Sequence, residues 1–362
     1  MTENRVYNFS AGPSMLPEEV LLKAQAQMMN YKNSGMSVME MSHRSSSYAN
    51  LFKETKDRFR KLMNIPENYK IVFVPGGATQ QFSMVPLNAL VNKADYILTG
   101  SFSTKAYQEA CKFGDINVAY DGKSNNFATI PTQTELNLDK NADYVHMCAN
   151  NTIFGTEWKY TPETNGVPIV ADMSSNILSK PIDVSKYALI YAGAQKNMGI
   201  AGLGVAIINE DILVDIRKDA PVLMDYKLMI SKDSMYNTPP AYNIYVFGLV
   251  LEWIEQLGGL KVMQERNQKK AAIIYDYLDK SNFYKPVSDK ANRSLMNVTF
   301  RTLSDELDAK FVKESIENGM TNLKGHRSVG GLRASIYNAM PIEGVEKLVS
   351  FMKKFEEENI NV

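Results

Sequence analysis

Cysteine is scarce: Cys111 and Cys148 are the only two in 362 residues, far apart and without CxxC spacing. That leaves neither a disulfide framework nor a thiolate zinc site to expect. Three histidines are too few for a conventional metal cluster, and no metal is expected. An excess of one charge is also missing, since 40 Lys and Arg balance 40 Asp and Glu. The balance argues against nucleic acid or an anionic membrane as the main partner, while a local basic pocket for a small anion stays open. No apolar run reaches about 18 residues, and Met1-Thr2-Glu3-Asn4-Arg5 leads into no apolar signal region, so a soluble cytoplasmic chain is expected.

Apolar residues make up 44% of the chain, ample for a core, and the length exceeds what one core usually serves. Two domains, one large and one small, follow. Asn8 to Pro13 reads as an extended or turn segment, and Pro17-Glu18-Glu19 suits the first turn of a helix reaching about Tyr31. Tyr48, Leu51, Phe52, Thr55, Phe59 and Leu62 fit the 3.6-residue period of a second helix. The polar segment between the two, with His43-Arg44, is a loop held by rigid neighbours and suits substrate-facing residues.

From Lys70 onward, short runs rich in Val, Ile and Tyr alternate with helical or loop connections: Ile71–Val74, Tyr96–Leu98, Asn117–Tyr120, Tyr144–Cys148, Ile169–Ala171, Ala188–Tyr191 and Gly204–Ile208. This α/β rhythm predicts a largely parallel sheet covered on both faces, with functional residues just past strand ends. Gly76-Gly77, Phe102, Thr152, Asp172 and Lys196 all hold that kind of position. No helix runs through Pro239-Pro240; helices are predicted over Tyr242–Leu257 and Leu260–Lys280, and the remainder has the rhythm of a small α+β domain. The domain change is placed within or just after the first of these helices.

Most lysines are solvated point charges. Lys196 instead follows a strand-like run and sits among small residues, in Tyr191-Ala192-Gly193-Ala194-Gln195-Lys196-Asn197. Asp172 ends an earlier strand, where a carboxylate can form an Asx turn or a helix cap. Together, one lysine for an aldehyde and one carboxylate for a pyridinium nitrogen are the minimal kit of a pyridoxal phosphate enzyme. Gly76-Gly77 before Ala78 is either an ordinary tight turn or, at a helix N-terminus, a phosphate cradle. His43-Arg44, His326-Arg327 and nearby Arg333 are, taken alone, either surface ion-pairing residues or guanidinium forks for a small anion.

Five blocks carry a family resemblance: NFSAGPSMLP (8–17), MSHRSSSY (41–48), ADMSSNILSKPIDVSKYALIYAGAQKNMGIAGLG (171–204), MYNTPPAYNIY (235–245) and GHRSVGGLRASIYNAMP (325–341). In this order they closely resemble the phosphoserine aminotransferases, class V, fold-type I pyridoxal phosphate enzymes of serine biosynthesis. The resemblance implies a large domain, residues 15–255, with a mostly parallel seven-stranded sheet, and a small α+β domain of residues 1–14 and 256–362. It implies that Lys196 bonds the cofactor's aldehyde and Asp172 faces its ring nitrogen. Gln195 and Thr152 would bond cofactor oxygens, and Gly77, Ala78 and Thr79 would bind the phosphate. Phe102 would stack on the ring, and Asn237 and Thr238 would reach the cofactor of the neighbouring subunit in a homodimer.

By the same resemblance Arg333 would clamp the α-carboxylate. Arg44, His43, His326 and Arg327 would serve the phosphate or the glutamate side chain, the last pair from either subunit. Thr79 stands where relatives often carry Arg or Cys, and Phe102 where Trp is usual. The implied reaction is ping-pong: L-glutamate leaves its amino group on the cofactor, and 3-phosphohydroxypyruvate takes it to become O-phospho-L-serine. A phosphorylated four-carbon analogue on the route to pyridoxine, giving 4-phosphohydroxy-L-threonine, has the same charged ends. The competing readings are another class V aminotransferase, a cysteine desulfurase or lyase, and a non-catalytic binding protein on the same fold.

Overall fold

The computed structural model describes residues 5–360. The opening Met1-Thr2-Glu3-Asn4, read above for its lack of a signal region, lies outside the described residues. Twelve strands occur among those residues: β1 (Tyr7–Asn8), β2 (Tyr69–Gly76), β3 (Lys93–Leu98), β4 (Asp115–Asp121), β5 (Val145–Cys148), β6 (Ile169–Asp172), β7 (Leu189–Gly193), β8 (Gly202–Asn209), β9 (Lys285–Pro286), β10 (Asn297–Arg301), β11 (Met320–Thr321) and β12 (Leu332–Ser335). The α-helices are α1 (Glu18–Ala26), α2 (Ser46–Met63), α3 (Ala78–Ala89), α4 (Ser101–Ala110), α5 (Tyr226–Ser231), α6 (Ala241–Gln256), α7 (Gly259–Leu278), α8 (Asp305–Glu317) and α9 (Ile342–Asn359).

Seven strands form the central sheet in the order β2-β8-β7-β6-β5-β3-β4. Pairs β7-β6, β6-β5, β5-β3 and β3-β4 are parallel, and only β8 runs against its neighbours β2 and β7. Because strand residues alternate faces, β2 sends Ile71 and Phe73 into a core with α2 and α6, and Val72 and Val74 into a core with α3 and α4. Both faces are therefore covered, which is why these strands read as continuous apolar runs. A third core joins Phe9 and Met15 to residues of α7, β10, β12 and α9. Helix α7 bridges two cores: Leu260 and Met263 pack in the first, and Ala271 to Leu278 in the third.

Helix α2 shows how the local code works. Ser45 caps it by accepting from the Tyr48 N–H at 3.2 Å, and Asn64 ends it in the left-handed region at φ 50°. Its stripe of Tyr48, Leu51, Phe52, Phe59 and Met63 is buried, each such side chain contributing roughly 1.5–3 kcal/mol. Helix α1 departs from expectation, ending at Ala26 rather than near Tyr31. Lys32 and Asn33 take φ values of 44° and 63°, and the Asn30 side chain accepts from the Gly35 N–H at 2.8 Å. These residues build a turn that a helix cannot continue through.

Candidate active site

The C-terminal ends of the parallel strands converge on one cavity of about 270 Å³. Register aligns Cys148 with Asp172 and Asp172 with Tyr191, so the strand carrying Asp172 lies beside the one that leads to Lys196. Asp172 Oδ1 accepts from the Ser174 N–H at 2.8 Å and from Ser174 Oγ at 2.6 Å. This is the Asx turn that its strand-end position allowed. It occupies one oxygen only; the other takes no hydrogen bond among the described residues. Burial raises the carboxyl pKa, while the Ser174 bonds and the Lys196 charge pull it down.

Beyond Gly193 the chain makes a tight turn, with the Met198 and Gly199 N–H groups both donating to the Ala194 carbonyl. The turn aims Lys196 inward. Its Nζ donates to Thr152 Oγ1 at 2.7 Å and lies 5.4 Å from the centre of the Phe102 ring. The N-terminal segment closes over it: Ser14 N–H donates to the Gln195 carbonyl at 2.9 Å, and Ser14 Oγ to the Lys196 carbonyl at 2.6 Å. Gly12 has φ +141°, and a Cβ there would stand 3.4 Å from Lys196 Cγ, so glycine suits this approach.

The Lys196 pKa is lowered to about 8, chiefly by burial and in smaller part by the Arg333 charge, against the opposing pull of Asp172 and Cys148. A depressed ammonium pKa means that the neutral, nucleophilic amine gains population as pH rises towards 8. Below that pH the neutral fraction falls about tenfold per unit. Borohydride trapping of an added aldehyde on Lys196, followed by peptide mass spectrometry, is therefore expected to speed up from pH 6 to 8 and level off above. Trapping that keeps climbing to pH 10 would mean an ordinary lysine.

At the opposite wall, β2 runs through Gly76-Gly77 into α3, whose N-cap Gly77 supplies no side-chain acceptor for the first N–H groups. Uncapped donors and the helix dipole together form an anion site. Gly193 makes this arrangement possible, because a Cβ there would stand 3.3 Å from the Ala78 nitrogen. Arg333 on β12 donates from Nη1 to the Thr152 carbonyl at 3.3 Å, and its buried Nε has no partner among the described residues. His326 Nδ1 lies 2.7 Å from Ser328 Oγ. Its pKa is lowered by burial and by the charges of Arg333, Arg327 and Lys105.

Gly77, Ala78, Thr79, Phe102, Thr152, Asp172, Gln195, Lys196, His326 and Arg333 all line this cavity. His43, Arg44, Arg327, Asn237 and Thr238 are not among the lining residues. Arg44, Arg327 and Thr238 are exposed and His43 and Asn237 half-buried. Sequence reasoning missed Ser174, Asn150 and the Ala11-Gly12 wall. Ser174 had a signal in its Asp-x-Ser spacing, whereas Ala11 and Gly12 arrive through long-range packing that spacing does not encode.

A covered, mostly parallel sheet with a buried lysine and carboxylate at its strand ends defines a class of protein. Residues 6–348 match the family described as "Aminotransferase class-V", and the chain belongs to that family. Phosphoserine aminotransferase of Bacillus cereus is 50% identical over 357 residues, covering 98% of this chain and 99% of its own length. The solved phosphoserine aminotransferase of Bacillus circulans subsp. alkalophilus superposes with a TM-score of 0.96 at 47% identity, covering 98% of this chain and 99% of that one. A PLP-bound phosphoserine aminotransferase from Trichomonas vaginalis gives 0.93 at 40% identity, covering 96% of this chain and 100% of that one.

Proposed function

We propose that this chain is a pyridoxal phosphate-dependent transaminase that moves the amino group of L-glutamate to 3-phosphohydroxypyruvate, giving O-phospho-L-serine and 2-oxoglutarate. The observation that carries the reading is the convergence of Lys196, Asp172 and two separate anion-binding ends on one cavity. The residues fit the cofactor: an amine with lowered pKa for its aldehyde, a half-satisfied carboxylate for its ring nitrogen, uncapped N–H groups for its phosphate and Phe102 for its ring face. When bound, pyridoxal phosphate supplies an electron sink for the substrate's Cα.

The protein's own groups then divide the work. Lys196 Nζ is the buried base for the Cα proton, steered by Thr152 Oγ1. Asp172 keeps a negative charge in a low-dielectric site, where it counts most. Arg333 takes the α-carboxylate, with a planar fork matched to that anion. For the substrate phosphate or the glutamate side chain we assign His326 and Arg327 together with His43 and Arg44 of the partner subunit, and for the cofactor phosphate Asn237 and Thr238 of the partner subunit. This reading makes the homodimer the working unit and accounts for the absence of His43, Arg44, Asn237 and Thr238 from the cavity wall of their own chain; Arg327, also outside that wall, is assigned through its neighbour His326. A desulfurase would need a mobile thiolate. Cys148 donates to the Asn150 carbonyl at 3.4 Å and burial raises its thiol pKa, so it fits that role poorly.

Sharing of sites between subunits has a direct test. Arg44→Ala and Lys196→Ala homodimers are each expected to be nearly inactive on phosphoserine. Co-refolding them in equal amounts should restore about a quarter of wild-type activity, because half the dimers become hybrids with one complete site of two. A mixture no more active than its parents would place Arg44 and Lys196 in the same chain's site.

A further inference from the structure

The residues Asp172, Lys196 and Arg333 come from distant parts of the chain, yet the segments following them meet at one buried junction. Asn197, next to Lys196, accepts on Oδ1 from the Asn338 N–H at 3.0 Å and donates from Nδ2 to the Ile177 carbonyl at 3.0 Å. Asn338, five residues past Arg333, donates from Nδ2 to the Leu178 carbonyl at 2.9 Å, and its Oδ1 accepts from Asn267 Nδ2 at 2.8 Å. Asn267 Nδ2 also reaches the Ser179 carbonyl at 3.0 Å. Lys270, one turn further along α7, donates to the Ile336 and Tyr337 carbonyls at 3.0 and 2.7 Å. Asn197, Asn267, Lys270 and Asn338 are at most 4% exposed.

Such a network cannot slide in small steps. Buried amides left without partners are costly, so the native pairing is strongly preferred over any shifted one. Its members tie the turn after Asp172, the turn holding Lys196 and the exit of the strand holding Arg333. We propose that Asn338 is a positioning residue: it fixes the spacing between Arg333 and Lys196, and so the reach of the site for an α-carboxylate. This rests on the assignment of Arg333 to that carboxylate under Proposed function. Asn338 touches no substrate on this account and acts through the strand.

The test uses cofactor-loaded enzyme with phosphoserine as substrate and O-phosphoethanolamine, which lacks the carboxylate, as competitive inhibitor. Asn338→Ala is expected to raise the KM for phosphoserine about tenfold or more, the scale of a misplaced binding group, with kcat within threefold and the inhibitor's Ki within twofold. Asn338→Ser keeps a small hydrogen-bonding group at the junction without burying a charge, and should recover part of the loss. It also serves as the reporter if the alanine variant does not fold. Equal weakening of both ligands, or an unchanged KM, would overturn the proposal. Arg333→Ala separates the two layers: if it weakens both ligands alike, the carboxylate assignment itself is wrong, whereas a selective loss there with none in Asn338→Ala overturns only the positioning role.

Discussion

Replacing Lys196 with alanine is expected to lower kcat by about 10⁴-fold or more, since a positioned general base alone contributes about 10²–10⁴-fold and the covalent anchor is lost with it. The single amine that Thr152 Oγ1 steers towards Phe102 has no substitute among the residues lining the cavity, because Arg333 stays protonated and His326 sits on a separate turn. Steady-state kinetics and the visible spectrum should change together: the variant loses the absorption of lysine-linked cofactor while a thermal melt stays cooperative. Removing a buried amine with a pKa lowered to about 8 should not unfold the chain, for that charge is held against its own desolvation. A variant that retained tenths of wild-type turnover would place the base elsewhere.

Asp172→Asn should reduce kcat by about 10²–10³-fold, the scale on which one preorganised electrostatic partner acts in a water-excluded site. The substitution keeps the shape and one acceptor oxygen for Ser174 but removes the charge. Its effect belongs to the chemical step, so kcat should fall more than KM rises. Supplying the variant with a cofactor analogue whose ring nitrogen carries a permanent positive charge should recover part of the loss. Recovery would separate the charge of Asp172 from its turn-building bonds to Ser174, which the analogue cannot replace.

Much of this site was legible in the chain because strand ends in a covered α/β sheet are predictable from apolar runs, and a ligand site follows from that topology. Gly76 and Asp172 close β2 and β6, Gly77 follows at once, and Lys196 stands three residues past β7. The two readings of Asp172 proved compatible, since an Asx turn to Ser174 uses only Oδ1. The N-terminal wall at Ala11 and Gly12 was not legible, as it depends on Ser14 reaching a residue 182 positions away. The junction of Asn197, Asn267 and Asn338 was equally hidden: single asparagines in three distant segments carry no periodic signal, and only folding makes them one network. The early end of α1 was missed because its apolar residues suit a helix, whereas the chain leaves the helix at Gln27, ahead of the left-handed turn at Lys32 and Asn33.

The most direct measurement is a set of half-reactions on cofactor-loaded enzyme, followed by visible absorption after adding L-glutamate, O-phospho-L-serine or L-serine, one at a time. Glutamate and phosphoserine are each expected to bleach the lysine-linked cofactor band within seconds and yield their 2-oxo acids, with L-serine slower by about 10²-fold or more for want of a phosphate to fill the charged end. Serine bleaching the band as fast as phosphoserine, or neither phosphoserine nor glutamate bleaching it, would contradict the assignment of this site to phosphorylated amino acids.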